Sequence, residues 1–202
     1  MCSSPATESA TWLSYLAPLG SFILGSVTAV FAEPVRQFIF RPNVELGFSN
    51  KDDCITKTPT TGGHDAIYVR VKVVNTKPRL ARQCRAYLVK IELKNQNGSF
   101  MPTIYSDSIQ LAWSCREKGM GRLPLDLPRG VSQYIDVVAT DEASNDYSPQ
   151  IAPFPLRYKS LFDPTPKTLR FTIQVAGDNI SPKFTQVVFV WKGQWDTIEA
   201  YG

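Results

Sequence analysis

Before Arg36 the chain has no lysine or arginine, and its first 32 residues hold one charged side chain, Glu8. A cleaved secretory leader needs a basic segment ahead of its apolar run, and none precedes this one. Histidine is equally scarce: His64 is the only one in 202 residues. The four cysteines, Cys2, Cys54, Cys84 and Cys115, are far apart and form no CxxC or Cys/His spacing. That scatter speaks against a zinc site, and the odd number beyond Cys2 fits a reducing compartment in which thiols stay free and mostly buried. All 22 Lys and Arg lie after residue 35, against 17 of the 18 acids after residue 32. This mildly basic balance suits an anionic neighbour such as lipid headgroups and falls short of the dense basic face of a nucleic-acid binder.

What the N-terminus has instead is length without charge. Residues 12–32 are 21 uncharged, mainly apolar positions, and about 20 suffice to cross a hydrocarbon core of about 30 Å. Trp12 and Tyr15 flank one end and Phe31, Phe38 and Phe40 the other, as aromatic side chains do at headgroup depth. A buried core helix would not be apolar on every face. The reading is therefore a tail (1–11), one transmembrane helix (12–32), a juxtamembrane neck (33–42) and a single soluble domain (43–202), whose size is enough for one core. Arg36 and Arg41 directly follow the span, so the positive-inside tendency puts the domain in the cytoplasm, on the inner face of the cell membrane. Ala17, Ser21, Gly25 and Ala29 recur every fourth residue, a stripe of small side chains on which a second copy of the helix could pack.

Beyond the neck the pattern changes to period two. Val44, Leu46 and Phe48 alternate with polar or small residues, as do Ile67, Val69, Val71 and Val73, and Tyr87, Val89, Ile91 and Leu93; further runs lie at 109–113, 131–139, 169–175 and 185–191. Turn-forming clusters such as Asn75-Thr76-Lys77-Pro78, Pro128-Arg-Gly130 and Gly177-Asp178-Asn179 separate them. About seven strands with no amphipathic helix between them predict an all-β fold, an antiparallel two-sheet sandwich, with Trp113, Trp191 and Trp195 in or against its core.

Tyr68-Val-Arg-Val-Lys-Val-Val-Asn75-Thr76, then Leu80-Ala81 and Cys84-Arg-Ala-Tyr-Leu88, resembles the strand, Asn-Thr turn and strand of bacterial Ig-like adhesion-type domains. The wider order, an anchor, Phe40-Arg41-Pro42-Asn-Val-Glu-Leu46, that hairpin, Leu111-Ala-Trp113 and Val190-Trp191-Lys-Gly193-Gln-Trp195-Asp, is similar to uncharacterised single-span prokaryotic membrane proteins. The resemblance implies an Ig-like sandwich on a tether and carries over no catalytic or ligand residue. Lys77 stands where such turns usually have glycine, so this turn differs locally.

No chemistry assembles from the sequence. His64 sits in a Gly-rich turn before a strand; neither Gly62-Gly63-His64-Asp65 nor Lys118-Gly119-Met120-Gly121 has the strand-to-helix setting of a phosphate loop. Asp141, Glu142, Asn145 and Asp146 cluster without the spacing of a calcium loop. No cofactor, metal or catalytic residue is assigned, and the chain is read as a non-enzyme. Its most informative polar feature is the stretch 70–94, where Arg70, Lys72, Lys77, Arg79, Arg82, Arg85, Lys90 and Lys94 face only Glu92. As one hairpin these residues make a positive patch for anionic lipid, for a phosphate-bearing ligand or for an acidic partner, or else simply keep two strands soluble. No aromatic residues interleave for stacking on bases.

The expected function is a membrane-anchored, non-enzymatic binding module whose partners are membrane lipid and a protein or a second copy of itself. The alternative is a membrane effector whose helices self-associate and perturb the bilayer when the β domain senses a ligand. A reporter fused after Gly202 should be active if it works only in the cytoplasm and silent if it works only outside; the reverse result overturns the orientation.

Overall fold

A computed structural model describes residues 40–49, 53–60, 62–116, 119–151 and 154–202. The expected span at 12–32, with its Ala17, Ser21, Gly25 and Ala29 stripe, lies outside them; among the described residues no helix is long and apolar enough to cross a membrane.

Pro42–Gly202 forms a compact unit of two antiparallel sheets. The first is built on two long strands, β3 (Asp65–Asn75) and β9 (Ser132–Asp141), and its edges are tiled by short ones. β1 (Val44–Gly47) and β2 (Ile55–Pro59) follow each other along one side of β3, while β7 (Ala112–Trp113) and β10 (Asp146–Pro149) share the free side of β9. The second sheet is built on β4 (Ala81–Lys94), β11 (Lys167–Gly177) and β12 (Ile180–Trp191). β5 (Phe100–Pro102), β6 (Ile109–Gln110) and β8 (Leu125–Leu127) tile the outer side of β4, and β13 (Glu199–Tyr201) covers part of β12. A 3-10 turn, Leu156–Phe162, connects β10 to β11.

One apolar core lies between the sheets, as a sandwich requires. Val69, Val71, Val73, Ile135 and Val137 face Leu88, Ile91, Leu169, Phe171, Ile173, Val187 and Phe189, all essentially inaccessible to solvent. The alternation at 169–175 is carried through the strand: Leu169, Phe171, Ile173 and Val175 all point inward. Trp113 and Trp191 are buried and Trp195 packs against the core; the Trp191 indole N–H donates to the Pro164 carbonyl at 2.9 Å. Tyr147 is ringed by Phe162, Phe189 and Trp191.

Four expectations need correction. Strands number thirteen among the described residues, because long runs are paired by several short segments. In β4 the inward set is Cys84, Ala86 and Leu88 and then Ile91, not Tyr87, Val89, Ile91 and Leu93, because the pairing with β11 slips between Leu88 and Lys90. Such a bulge switches which side faces the core. The third concerns 70–94: β3 pairs with β1, β2 and β9, and β4 with β11 and short strands, so the two are no hairpin but a crossover from one sheet to the other. The run 109–113 likewise divides at Leu111, with Ile109–Gln110 in one sheet and Ala112–Trp113 in the other.

The crossover is pinned by Asn75, a fully buried polar residue. Its amide nitrogen donates to the carbonyls of Arg79 (2.7 Å) and Leu127 (3.0 Å), and its side-chain oxygen accepts the Lys77 N–H (3.2 Å). Its own carbonyl takes the Gly130 N–H at 2.9 Å. Asn75→Ala would leave the buried Leu127 carbonyl and two part-buried turn groups without their partner, so it should lower stability by about 2 kcal/mol, measured as a reduced urea midpoint by tryptophan fluorescence of the detergent-solubilised chain.

Candidate functional site

The crossover redistributes the eight basic residues. Arg70 is covered on the face of β3 opposite the core: its Nε donates to Asp136 Oδ1 at 2.8 Å and its guanidinium lies 5.1 Å from the centre of the Tyr68 ring. The same Asp136 oxygen accepts the Ser114 hydroxyl. Neither Arg70 nor Asp136 is available at the surface. Lys72 is half-buried in the part of β3 nearer the crossover, opposite Gly47. Lys90 donates to Glu92 Oε1 (2.8 Å), and Arg170, from the neighbouring strand, donates to Oε2 (2.7 Å) while covering the Phe100 ring at 4.3 Å. The bond from Arg170, and after it that from Lys90, holds the Glu92 carboxyl below its ordinary range against the opposing effect of burial. Lys94 ends β4, far from the crossover.

Lys77, Arg79, Arg82 and Arg85 remain. All four are exposed at or near the crossover, and among the described residues their side chains make no ion pair. Hydrogen bonds between the side chains of Asn179 and Asp126 and the main chain of β4 and its approach hold three segments together here. The Arg82 N–H donates to Asn179 Oδ1 at 2.8 Å, the Asn179 amide to the Leu80 carbonyl at 2.9 Å, and the Gln83 N–H to Asp126 Oδ1 at 2.8 Å. Gln83 takes a positive φ of 53° to make that bend. The bridge between Asn75 and Arg129 adds Arg129, exposed and equally unpaired, to the same end. Sequence reasoning missed Arg129 because Pro128-Arg-Gly130 reads only as a turn; nothing local links it to Asn75, over fifty positions earlier. Glu45, Asp126 and Asp178 are the carboxylates of this end; Glu45 accepts from Asn43 and Thr76, and Asp126 from Gln83.

At the other end of β3 acidic side chains gather, interleaved with bases. His64 Nε2 is 3.4 Å from Asp141 Oδ1, so two candidates that sequence left apart are neighbours across β3 and β9. Asp141 Oδ1 also accepts the Ala143 N–H (2.7 Å), Glu142 takes the Asp65 N–H (2.7 Å), and Asp146 takes the Ser144 hydroxyl (2.6 Å). Asn145, at a positive φ of 48°, accepts the Trp195 N–H (3.0 Å) and donates to the Gly193 carbonyl (3.3 Å). These groups are occupied in shaping loops. Lys57 lies among Asp65, Glu142 and Asp196 with its ammonium 4.9 Å from the Trp195 ring centre, and its pKa is raised mainly by the bond to Asp65. Among the described residues no three His, Cys, Asp or Glu side chains converge as metal ligands.

Beside this turn an open groove of about 910 Å³ runs between Ser144–Asp146 and the 3-10 turn. Leu156, 83% exposed, and Phe162 line it as apolar surface; Arg157 and Lys159 lie along it with Asp146 and Asp163. Asp163 is held down at about 2, chiefly by the Lys167 ammonium and the Thr165 hydroxyl. No signal at 156–164 marks a groove in sequence, since it arises only where that turn meets the β9–β10 loop. Of the thiols, Cys54 and Cys84 are buried and Cys115, expected to be buried too, is exposed; burial pushes Cys84 up to about 12.

No protein-family model matches the chain, and no curated protein matches it.

Because Glu92 is more acidic folded than unfolded, its contribution to stability is present above the ordinary glutamate pKa of about 4.3 and is lost as pH falls through the folded value. Glu92→Gln should therefore cost about 2 kcal/mol at pH 7, and the gap to wild type should close as the pH is lowered below about 4, as read from urea midpoints across pH.

Proposed function

We propose that the chain is a membrane-anchored, non-enzymatic interaction module. The uncharged stretch 12–32 holds it in the inner membrane, the β-sandwich stands in the cytoplasm, and the loops and groove at the end remote from the neck meet a protein partner or a second copy.

The observation that carries this reading is the polarity of the sandwich. Its first strand begins at one end, where the Thr76 N–H donates to the Asn43 carbonyl at 2.9 Å. The groove and the Asp141–Asp146 turn lie at the other, beyond a β3 of 11 residues that spans about 33 Å. A tether at Asn43 leaves the far end free. There the polar side chains brace one another into fixed loops, and an apolar floor between opposite charges suits recognition of a polypeptide.

Alkaline carbonate should leave the full chain in the membrane pellet, and a photo-crosslinking residue at Ser160 should yield a discrete adduct in cells, whereas one at Gln186 should not. Release by carbonate, or equal yields at both positions, overturns the proposal; an adduct of twice the chain mass identifies a second copy as the occupant.

A further inference from the structure

We infer that the sandwich docks end-on against anionic lipid headgroups through Lys77, Arg79, Arg82 and Arg129, an inference that rests on the anchored reading above.

These side chains come from two segments far apart in sequence, 77–82 and 129, which are joined by Asn75, by the pairing of β4 with β8 and by the Gln83–Asp126 bond. They are exposed and carry no ion pair among the described residues, unlike Arg70, Lys90 and Arg170, whose charges are spent within the sheets. With Arg85 just behind them they outnumber Glu45, Asp126 and Asp178, two of which already accept hydrogen bonds. The main chain that carries them is held by Asn75, Asn179 and Asp126, so little backbone freedom is left to lose on contact.

Their position explains the choice of lipid over a soluble anion. The chain enters the sandwich at Pro42 and Asn43, and Asn43 is bonded to Thr76, adjacent to Lys77. Only residues 33–41 separate that point from the expected span, and nine residues reach at most about 30 Å. The basic cluster therefore lies beside the point at which the tether enters the domain, and its charge, in this inference, turns that end toward the bilayer. At the remote end Asp65, Asp141, Glu142, Asp146 and Asp196 are interleaved with Lys57, Arg157, Lys159 and Lys192, so a negative surface is drawn more strongly to the crossover end. Each basic residue near such a surface is worth about a fivefold gain in occupancy.

The full chain reconstituted in vesicles tests this, with neutral phosphatidylcholine compared with vesicles containing about 30% phosphatidylglycerol, a charge density at which basic residues bind. Acylation of lysines and glyoxal modification of arginines, located by mass spectrometry, report the face that is covered. Anionic vesicles should slow modification of Lys77, Arg79, Arg82 and Arg129 about fivefold or more and leave Lys94, exposed at the opposite end, unchanged. Salt at about 0.5 M should remove the difference, and the double variant Arg82→Gln with Arg129→Gln should lose most protection of Lys77. Equal rates in the two vesicles, slowing of Lys94 to the same extent, or protection by soluble heparin but not by anionic vesicles overturns the inference. Carbonate extraction of the same vesicles separates the two readings. A chain that washes off yet was protected keeps the docking surface and loses the anchor; one that stays inserted but unprotected does the reverse.

Discussion

The buried side chain of Asn75 holds together what the rest of the sandwich depends on. A chain that leaves one sheet and starts the other must turn outside both hydrogen-bonded ladders, and the turn's backbone groups need partners once buried. A single amide answers this need, reaching the turn at Lys77 and Arg79, the β8 end at Leu127 and, through its main chain, Gly130. The crossover, the β8–β9 connection and the point where the chain enters the domain are thus fixed against each other. Through the same contacts the sequence-distant cations Arg79 and Arg129 come to occupy one surface.

The all-β class was legible because period two is a direct consequence of strand geometry: Leu169 to Val175 could be assigned inward from their spacing alone. What spacing does not encode is which strand pairs with which. Val69–Val73 and the run after Ala81 look like two arms of a hairpin, since the turn between them is short and rich in Pro and Asn; nothing local says that the arms part into separate sheets. The bulge in β4 was invisible for a related reason. Tyr87, Val89, Ile91 and Leu93 alternate well by themselves, and only the register against β11 shows that the inward side changes at Val89.

The candidate sites were legible to a similar degree. The basic stretch was recognisable as a concentration of charge, but charge on a list of residues has no direction. Arg70 spends its charge on Asp136, 66 positions away, and Lys90 shares Glu92 with Arg170. His64 and Asp141 were each visible, and their proximity was not. The groove had no sequence signal, because its walls are a 3-10 turn and a loop that meet only in the folded chain.

The tiled edges of the two sheets bear on how such a protein behaves when crowded. At high local concentration an open strand edge recruits a neighbour's strand. Here β3, β4 and β9 are screened along their outer sides by segments of two to five residues, too short and too staggered to template another chain. Where β12 runs past its cover it carries Pro182 and Lys183, one lacking an N–H to offer and the other bearing a charge that opposes close approach. Copies held side by side can therefore meet repeatedly without fusing their sheets, which leaves chosen surfaces, rather than the backbone, to decide what associates.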